Sequence, residues 1–534
     1  MIPVRSLSIP NVLQIHARTT PSAPAVVWDG GTTTWRDLLD RCNRIANGLK
    51  DLGLVRGDRV ALLYDNSPEL LELILGTMIS GGVVVPLSGL MTQEIITRML
   101  ESSQSRFLFV QGRFKARFGS LDGLGGIPKP RRFTSGDSDD WNDYEAWILG
   151  SSNQVQSADY PLDDSISILY TSGTTGVPKG MEHSHLARLL YPLVLGPLFK
   201  IDQAAKTILI TPMYHNGTWT TMLPTLYSGG TVVIAEKFST QQFQALVERE
   251  ACTHAFMVPT QLTMLAADPE FQAGTLATMR LIMVSGAPLT SDTLDRMRTA
   301  LPHLDLCEIY GMGEGFMTFA STRASTLNKV GSVGRPIAQV DTDIKIIGDD
   351  DKVLPVGEIG EIVGTSGFML KGYHRQEELT LQSLWYDGAG RAYLRSGDLG
   401  YLDEDGFVYL AGRKKDVIIS GGVKIYATDL EEVFAGHPDV LEVAVVAIPH
   451  QKWGETPLVL AIMKATARIS EDELRDWGNA QLGKTQRVSR VEFRSSFPRN
   501  ALDKIVKRQL REPYWRKAEG FGWATPEVKR GADR

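Results

Sequence analysis

Residues 165–180 read SISILYTSGTTGVPKG, and this stretch decides how the chain is interpreted. The apolar run SISIL predicts a short buried strand. The eleven residues that follow it hold four hydroxyl side chains, three glycines and Lys179. Glycines let the backbone bend so that its N–H groups converge on an anion, while the hydroxyls and the lysine add donors and a cation. The stretch therefore favours a polyphosphate ligand.

A loop rich in glycine, serine and threonine is in general only a flexible connection. The preceding strand, the lysine and the complete string favour a phosphate site here. Pro178 stands where the Walker pattern requires a glycine before the lysine, so the loop is not that of a P-loop ATPase.

The composition is that of an ordinary globular protein, with 534 residues, 43% hydrophobic and 22% charged, and a formal charge of −6. The length predicts at least two domains, and the charge argues against a nucleic-acid partner. Three distant cysteines, Cys42, Cys252 and Cys307, predict neither disulfides nor a zinc site. The N-terminus lacks a signal-peptide pattern, and the apolar run 73–87 predicts a buried helix followed by a buried strand, too short for a membrane span. We expect a cytoplasmic protein without a membrane span.

Helical periodicity alternates with short β-branched runs along most of the chain, which predicts parallel α/β layers. Residues 35–51 predict a helix, and the polar segment 113–163 predicts a surface connection rather than core. Past Gly331 the pattern changes to hairpin-like alternation. The expected fold class is α/β, with a large N-terminal domain of layered α/β subdomains and a β-rich subdomain at 1–412, and a small α+β C-terminal domain at 413–534.

The string at 170–180 resembles the phosphate-binding signature of the acyl-adenylate-forming (ANL) superfamily. This superfamily contains acyl-CoA synthetases, peptide-synthetase adenylation domains and beetle luciferases. The resemblance covers essentially the whole chain, because further family signatures follow in the expected order. It implies an AMP-forming acid–thiol ligase of the acyl-CoA synthetase type that uses ATP, Mg²⁺ and coenzyme A.

Residues 309–315, IYGMGEG, resemble the family's aromatic-Gly-x-Thr-Glu element. The resemblance implies that Tyr310 stacks on adenine and that Glu314 binds the Mg²⁺ between ATP phosphates, since a carboxylate beside polyphosphate requires a metal. Gly313 replaces the usual threonine and removes a hydroxyl contact. The ATP site implied by the resemblance consists of Thr171, Ser172, Gly173, Thr174, Thr175, Lys179, Gly286, Ala287, Pro288, Glu308, Ile309, Tyr310, Gly311, Asp398 and Arg413.

Residues 394–406 resemble the family's Thr-Gly-Asp element, with Ser396 in place of threonine. This implies that Asp398 accepts hydrogen bonds from the ribose hydroxyls. Residues 412–426 resemble the hinge of a mobile C-terminal domain, in which Arg413 reaches the ribose or phosphate and Lys415 is the pivot. The next loop, Ser420, Gly421 and Gly422, resembles the lining of the pantetheine tunnel.

Residues 497–508 resemble the C-terminal lysine element, with Asp503 in place of the usual glycine. The resemblance implies that Lys504 bridges the substrate carboxylate and the α-phosphate, where a cation lowers the barrier directly. The implied catalytic residues are Lys504, Glu314, His215 and Thr171.

Residues 211–217 resemble the element at the acid site, which places His215 beside the carboxylate and the thiol entrance. No aspartate stands where amino-acid-activating relatives hold an α-amine, which argues against an amino-acid substrate. The implied pocket is apolar or small-sided and predicts a hydrophobic acid; it consists of Tyr214, His215, Trp219, Met257, Val258, Ser285, Gly286 and Met312. Fatty, aryl and bulky alicyclic or polycyclic acids stay open, with a slight preference for a medium or long aliphatic acid or a terpenoid-like one.

Three alternatives accompany this hypothesis. An acyl-AMP ligase that loads a carrier protein shares the motifs, although the loop at 420–422 and the lack of a long insertion favour coenzyme A. A luciferase-like oxygenase also shares them. A non-catalytic homologue that only binds nucleotide or acyl ligand is the alternative from another class. Homodimers are common among relatives, and no interface can be identified in this sequence.

Overall fold

The computed structural model describes residues 7–118, 126–136, 140–154, 160–171, 179–287, 289, 291–321, 329, 331–421, 423–483, 486–499 and 504–519. The chain forms two compact units. The first comprises Met1–Ile344 and Gly364–Leu394, and the second comprises Lys345–Val363 and Arg395–Arg534. The predicted C-terminal segment 413–534 thus belongs to the second unit together with 345–363 and 395–412.

The α-helices are α1 Ile9–Thr19, α2 Trp35–Asp51, α3 Pro68–Ser80, α4 Gln93–Ser103, α5 Gly112–Lys115, α6 Tyr144–Gly150, α7 His185–Leu190, α8 Gly196–Leu198, α9 Asn216–Ser228, α10 Thr240–Glu250, α11 Pro259–Ala267, α12 Ser291–Ala300, α13 Glu377–Gln382, α14 Ala427–Ala435, α15 Glu471–Asn479 and α16 Lys507–Glu519. The strands of the first half are β1 Pro24–Trp28, β2 Gly31–Thr34, β3 Arg59–Leu63, β4 Val83–Leu87, β5 Phe107–Gln111, β6 Arg132–Ser135, β7 Asn142–Asp143, β8 Ser165–Thr171, β9 Lys179–Ser184, β10 Lys206–Leu209, β11 Thr231–Ile234, β12 His254–Met257 and β13 Leu281–Ser285. The remaining strands are β14 Asp305–Ile309, β15 Thr318–Ser321, β16 Arg335–Pro336, β17 Asp343–Ile347, β18 Gly360–Thr365, β19 Gly372–Tyr373, β20 Leu384–Tyr386, β21 Ala392–Leu402, β22 Val408–Arg413, β23 Ile418–Ser420, β24 Val423–Ile425, β25 Val440–His450, β26 Gly454–Met463 and β27 Arg490–Phe493.

The first unit is built around two large sheets. One has eight strands in the order β19-β9-β8-β4-β3-β5-β6-β7, and β3 pairs in parallel with both β4 and β5. The other has nine strands in the order β16-β15-β14-β13-β12-β10-β11-β1-β2, with a parallel centre from β11 to β14. This layered arrangement agrees with the predicted α/β class.

Helix α3 is buried from Leu70 to Ser80, in agreement with its apolar residues on nearly all sides. Strand β4 follows directly after it. The predicted helix–strand pair at 73–87 is therefore confirmed. Helix α2 occupies the residues predicted for it. Its N-cap Thr34 accepts a hydrogen bond from Asp37 N, and its apolar face lies against the core. None of the helices in the described part of the chain has both the length and the hydropathy of a membrane span.

The prediction that 113–163 is a surface connection was wrong for much of its length. Strand β6 pairs in parallel with β5 and adds Phe133 to the core, and α6 buries Tyr144 and Ile148. Phe133 and Tyr144 stand singly among polar residues, so the average composition of the segment concealed them. The Phe133 ring stacks on Phe109 of β5 at 4.8 Å.

The second unit has its own core. Strands β23 to β27 form a sheet in the order β24-β23-β26-β25, and β27 pairs in parallel with residues 458–461 of β26. Helices α14 and α15 bury Leu430, Phe434 and Leu474 together with Val459 of β26. Earlier in this unit β21 pairs with β22 along residues 398–402 and 408–413. A compact α+β arrangement of this kind was expected for the C-terminal part, while the hinge at Lys415 stays a prediction.

Candidate active site

The glycine-rich segment lies in the sequence between two antiparallel strands. Strands β8 and β9 are antiparallel, and Thr171 pairs with Lys179, so these two residues lie side by side. Residues 172–178 lie outside the described residues, and with them the predicted ligands Ser172, Gly173, Thr174 and Thr175; of Thr171 only the backbone is described. The hairpin thus places Lys179 at the first position of β9.

Lys179 and Glu314 both contact one tyrosine. The Tyr373 hydroxyl donates to Glu314 Oε1 at 2.8 Å, and Lys179 Nζ lies 5.4 Å from the centre of the same ring. Tyr373 reaches this position because β19 pairs with the start of β9, with Tyr373 opposite Met181. A cation over a ring face and a hydroxyl bonded to a carboxylate are both attractive contacts. The structure therefore brings together a predicted phosphate ligand and the predicted metal ligand.

Sequence reasoning did not identify Tyr373. It follows a glycine in the segment KGYHRQ, which carries no chemical signature of its own. Burial and the charge of Glu314 raise the pKa of Tyr373 above its ordinary value, so the phenol stays protonated and remains a donor.

The turn that carries Glu314 is tightly packed. Gly311 forms an antiparallel bridge with Met317, and the Tyr310 ring lies 6.1 Å from the Phe316 ring in an edge arrangement. A β-carbon on Gly313 would lie 2.6 Å from the end of the Met181 side chain, which fills the space next to this glycine. Met181 thus occupies the space that a threonine side chain at position 313 would need.

A buried histidine binds the backbone of the turn that carries Glu314. His183 Nε2 bonds the Gly313 carbonyl at 2.8 Å, and Arg188 Nη2 contacts His183 Nδ1 at 3.2 Å. Because a guanidinium only donates, Nδ1 is the acceptor and Nε2 carries the proton. Burial and the charge of Arg188 hold the pKa of His183 well below its usual range, so the ring is neutral.

Arg188 connects this turn to the predicted acid site. It is fully buried, its Nη1 donates to Asn216 Oδ1 at 2.6 Å, and its guanidinium lies 4.7 Å from the Trp219 ring centre. Asn216 is the first residue of α9 and His215 is its N-cap. Neither His183 nor Arg188 was singled out from the sequence, because each is one polar residue in a stretch without a recognisable pattern.

The predicted acid-pocket residues lie at the ends of neighbouring elements. Met257 ends β12, Ser285 ends β13, and both strands run in parallel in the nine-stranded sheet. In α/β sheets the carboxyl ends of parallel strands form the usual ligand-binding edge. Trp219 is fully buried, with Nε1 donating to the Met213 carbonyl at 2.7 Å. The remaining predicted members are the nearly buried Tyr214, the partly buried His215, Val258 and Met312, and the exposed Gly286.

Two groups of the predicted ATP-binding residues are neighbours through strand pairing. Ser285 lies opposite Ile309, and Val284 lies opposite Glu308, so 285–287 and 308–311 leave the sheet side by side. Glu308 Oε1 accepts from Leu289 N at 3.3 Å, and burial raises the pKa of Glu308 to about 6. Gly286 and Ala287 are described, whereas Pro288 lies outside the described residues.

The second unit brings together Asp398, the predicted ribose ligand, and Arg413, which was predicted to reach the ribose or phosphate. Asp398 of β21 lies opposite Arg413 of β22, and Arg413 Nε is 3.1 Å from Asp398 Oδ1. The predicted hinge residue Lys415 follows directly. Burial, together with the charge of Arg413, lowers the pKa of Lys415.

The predicted pantetheine loop is the turn between β23 and β24. Ser420 pairs with Val423, and Gly421 N donates to the Trp453 carbonyl at 2.8 Å. Gly421 has a φ of +58°, and a β-carbon there would lie 2.7 Å from the Trp453 ring, so the position requires glycine. Gly422 lies outside the described residues.

Lys504 also belongs to the second unit. It immediately precedes Ile505, which forms an isolated bridge with Arg499. Residues 500–503, including Asp503, lie outside the described residues.

No cluster of three or more His, Cys, Asp or Glu side chains among the described residues could hold a metal ion. A protein-only metal cage is therefore not present in that part of the chain. Mg²⁺ commonly binds through one or two carboxylates and takes its other ligands from substrate phosphates and water. The single Glu314 carboxylate fits a metal bound in this way.

Comparison with known proteins identifies both parts of the chain. Residues 13–374 match the family model described as AMP-binding enzyme, and residues 429–504 match that of the AMP-binding enzyme C-terminal domain. The fatty acid–[acyl-carrier-protein] ligase ScoC of Streptomyces coeruleorubidus is 30% identical and is aligned over 94% of this chain and 95% of its own length. The feruloyl-CoA synthase of an Amycolatopsis species is 32% identical over 93% of this chain and 97% of its own.

A solved structure with a similar fold is ATP-bound MatB from Rhodopseudomonas palustris. It superposes with a TM-score of 0.86 at 29% identity and covers 95% of this chain and 99% of its own. The aligned residues thus include parts of both units.

Proposed function

Because this chain belongs to the AMP-binding enzyme family, we propose that it activates a hydrophobic carboxylic acid as its acyl adenylate and then transfers the acyl group to coenzyme A. The resemblance to the acyl-adenylate-forming superfamily is thereby confirmed. The enzyme is an acid–thiol ligase that consumes ATP, and the acyl-CoA ligases among its relatives support coenzyme A as the acceptor.

The arrangement of Lys179 and Glu314 around Tyr373 is the observation that carries this proposal. An ionised acid and a polyphosphate repel each other, so the reaction needs cations at the phosphates. Lys179 supplies one at the base of the glycine-rich loop. Glu314 would hold Mg²⁺, which neutralises phosphate charge when bound.

In the adenylation step a carboxyl oxygen attacks the α-phosphorus, and the bond to pyrophosphate breaks. Lys504 is proposed to lie between the two reacting anions, and Asp398 to hold the ribose. The pairing of Asp398 with Arg413 supports this, because it holds the carboxylate beside a second proposed nucleotide ligand.

In the second step the thiol sulfur of coenzyme A attacks the acyl carbon and AMP leaves. We propose that the C-terminal part moves about Lys415 between the two steps, as domain motions do in many ligases. Ser420, Gly421 and Gly422 would then line the passage of the pantetheine arm. The close packing of Gly421 on Trp453 supports a passage with little room for side chains.

A carrier protein is the second candidate acceptor. The Streptomyces relative is named for transfer of a fatty acid to an acyl carrier protein, and its identity to this chain is similar to that of the feruloyl-CoA synthase. The names of these relatives also keep both fatty and aryl acids open as substrates, with His215 beside the carboxylate in either case.

We further propose that the enzyme acts in the cytoplasm, because all three cysteines are buried and unbridged. Small-molecule acid, ATP and coenzyme A would be its partners, and we propose a homodimer on the resemblance to the superfamily alone.

One assay tests these proposals. The protein is incubated with ATP, Mg²⁺ and a panel of aliphatic, aryl and polycyclic acids, and pyrophosphate is measured with coenzyme A, with a phosphopantetheinylated carrier protein, and without acceptor. A thioester of coenzyme A identified by mass supports the main proposal. Pyrophosphate with transfer only to the carrier protein supports the second candidate, and no pyrophosphate from any acid would mean a non-catalytic homologue.

A further inference from the structure

Tyr373 contacts both charged groups proposed to bind the nucleotide, yet it has no place in the reaction so far. Its hydroxyl engages Glu314 Oε1 at 2.8 Å, and its ring faces the Lys179 ammonium at 5.4 Å. We propose that Tyr373 is a positioning residue for adenylation, whose hydroxyl orients the Glu314 carboxylate for the metal and whose ring holds the Lys179 ammonium. This inference rests on the proposed function.

The tyrosine is itself held rigidly. Only 8% of it is exposed, and its backbone N–H donates to Thr380 Oγ1 at 2.9 Å. The next residue, His374, donates its N–H to the Gly180 carbonyl at 2.7 Å and contacts Glu182 Oε2 through Nδ1 at 2.6 Å. The backbone is thereby held at Tyr373 and at the residue that follows it. A side chain on such a support can orient its partners.

The hydroxyl engages one carboxylate oxygen and leaves the other able to turn toward a metal. A free glutamate side chain loses considerable rotamer freedom when it is ordered. The bond from Tyr373 removes much of this freedom before the nucleotide arrives. The bond therefore orders the Glu314 side chain for metal binding and engages only one of its two carboxylate oxygens.

A comparison within the same protein distinguishes this contact from an ordinary structural one. Tyr144 also donates to a glutamate, Glu72 Oε2, at 3.0 Å. Glu72 is neutralised by Arg41, whose Nε lies 2.8 Å from Oε1. Among the described residues no lysine, arginine or histidine lies within ion-pair distance of Glu314. Within that part of the chain its carboxylate is thus held in place without a cation, as expected of a metal ligand.

The test uses Tyr373→Phe, which keeps the ring and removes the hydroxyl. We expect the Mg²⁺ concentration for half-maximal pyrophosphate release to rise roughly ten-fold, as for loss of a hydrogen bond to a charged group. Calorimetry should give an ATP affinity about ten-fold lower with Mg²⁺ and unchanged without it. The KM for the acid should stay the same.

Tyr373→Leu removes the ring as well and should also weaken ATP binding without Mg²⁺, because Lys179 loses its support. In a Glu314→Gln background, Tyr373→Phe should have no further effect on metal dependence. If the leucine variant does not fold, the phenylalanine variant decides the matter alone.

Tyr144→Phe is the matched control, since it also deletes a tyrosine–glutamate hydrogen bond, and it should keep the metal dependence of the unaltered protein. The inference is overturned if Tyr373→Phe matches this control in both Mg²⁺ titration and calorimetry while Glu314→Gln does not. Calorimetry needs no turnover, so it tests Tyr373 even if no acid is activated and the proposed function itself fails.

Discussion

Arg188 Nη2 donates to His183 Nδ1 at 3.2 Å, and this contact determines which nitrogen of the imidazole carries its proton. The other nitrogen then donates to the Gly313 carbonyl, next to the proposed metal ligand. A pair of residues five positions apart on β9 and α7 thus supports the turn that carries Glu314.

The first prediction concerns this pair. His183→Leu should lower the free energy of unfolding by about 2–3 kcal/mol, because it leaves a buried guanidinium donor and the Gly313 carbonyl without a partner. His183→Gln, whose amide can both accept and donate, should recover part of the loss. Denaturant unfolding of the two variants measures this, and equal losses in both would contradict the role given to the imidazole.

The second prediction concerns Gly313 and Met181. Gly313→Thr should cost about 1–3 kcal/mol of stability, because its β-carbon would overlap the end of the Met181 side chain. Met181→Val should make room, so the double variant should be more stable than the sum of the two single changes predicts. Unfolding of all four proteins gives the coupling, and strictly additive effects would argue against the overlap.

The third prediction concerns pH. Burial lowers the pKa of His254 to about 4, from an unfolded value of about 6.5. Between these values the unfolded state binds more protons, so His254 lowers stability as pH falls below 6.5 and has no effect above it. From pH 7 to 5 this amounts to about 2 kcal/mol. The unaltered protein should lose that much more than His254→Gln over the same interval; parallel pH profiles would exclude a buried neutral imidazole.

The fourth prediction concerns the ribose contact. Asp398→Ala should raise the KM for ATP roughly ten-fold or more and leave the KM for the acid unchanged, since a charge-assisted hydrogen bond is lost. Asp405→Ala, in the exposed turn of the same hairpin, is the matched control and should resemble the unaltered protein. Steady-state kinetics with each substrate varied separately checks this. A change in the acid KM alone would refute the assignment.

The fifth prediction separates the two half-reactions. Lys504→Ala should reduce pyrophosphate release from acid and ATP by at least about a hundred-fold, because a cation between two anions is removed. Thioester formation from supplied acyl adenylate should persist. Arg508→Ala, an exposed cation nearby, serves as the control for general loss of charge. Equal loss of both steps in Lys504→Ala would contradict its proposed role.

Local sequence predicted the elements whose periodicity was uninterrupted. Helix α2 and the α3–β4 pair occupy the predicted residues, because a long apolar face or a continuous apolar run leaves few other ways to bury it. The prediction for 113–163 was wrong because this segment has no such continuous apolar pattern. Phe133 and Tyr144 enter the core singly, and only pairing of β6 with β5 decides that they are buried.

By itself the sequence determined the family, the order of the motifs and the candidate chemistry, because loop glycines, the lysines and the acidic residues appear as contiguous strings. Tertiary structure alone decided which distant residues support them. Tyr373 meets Glu314 across 59 positions, and Arg188 meets Asn216 across 28. Such contacts arise from strand pairing and close packing, which bring together residues that share no local pattern.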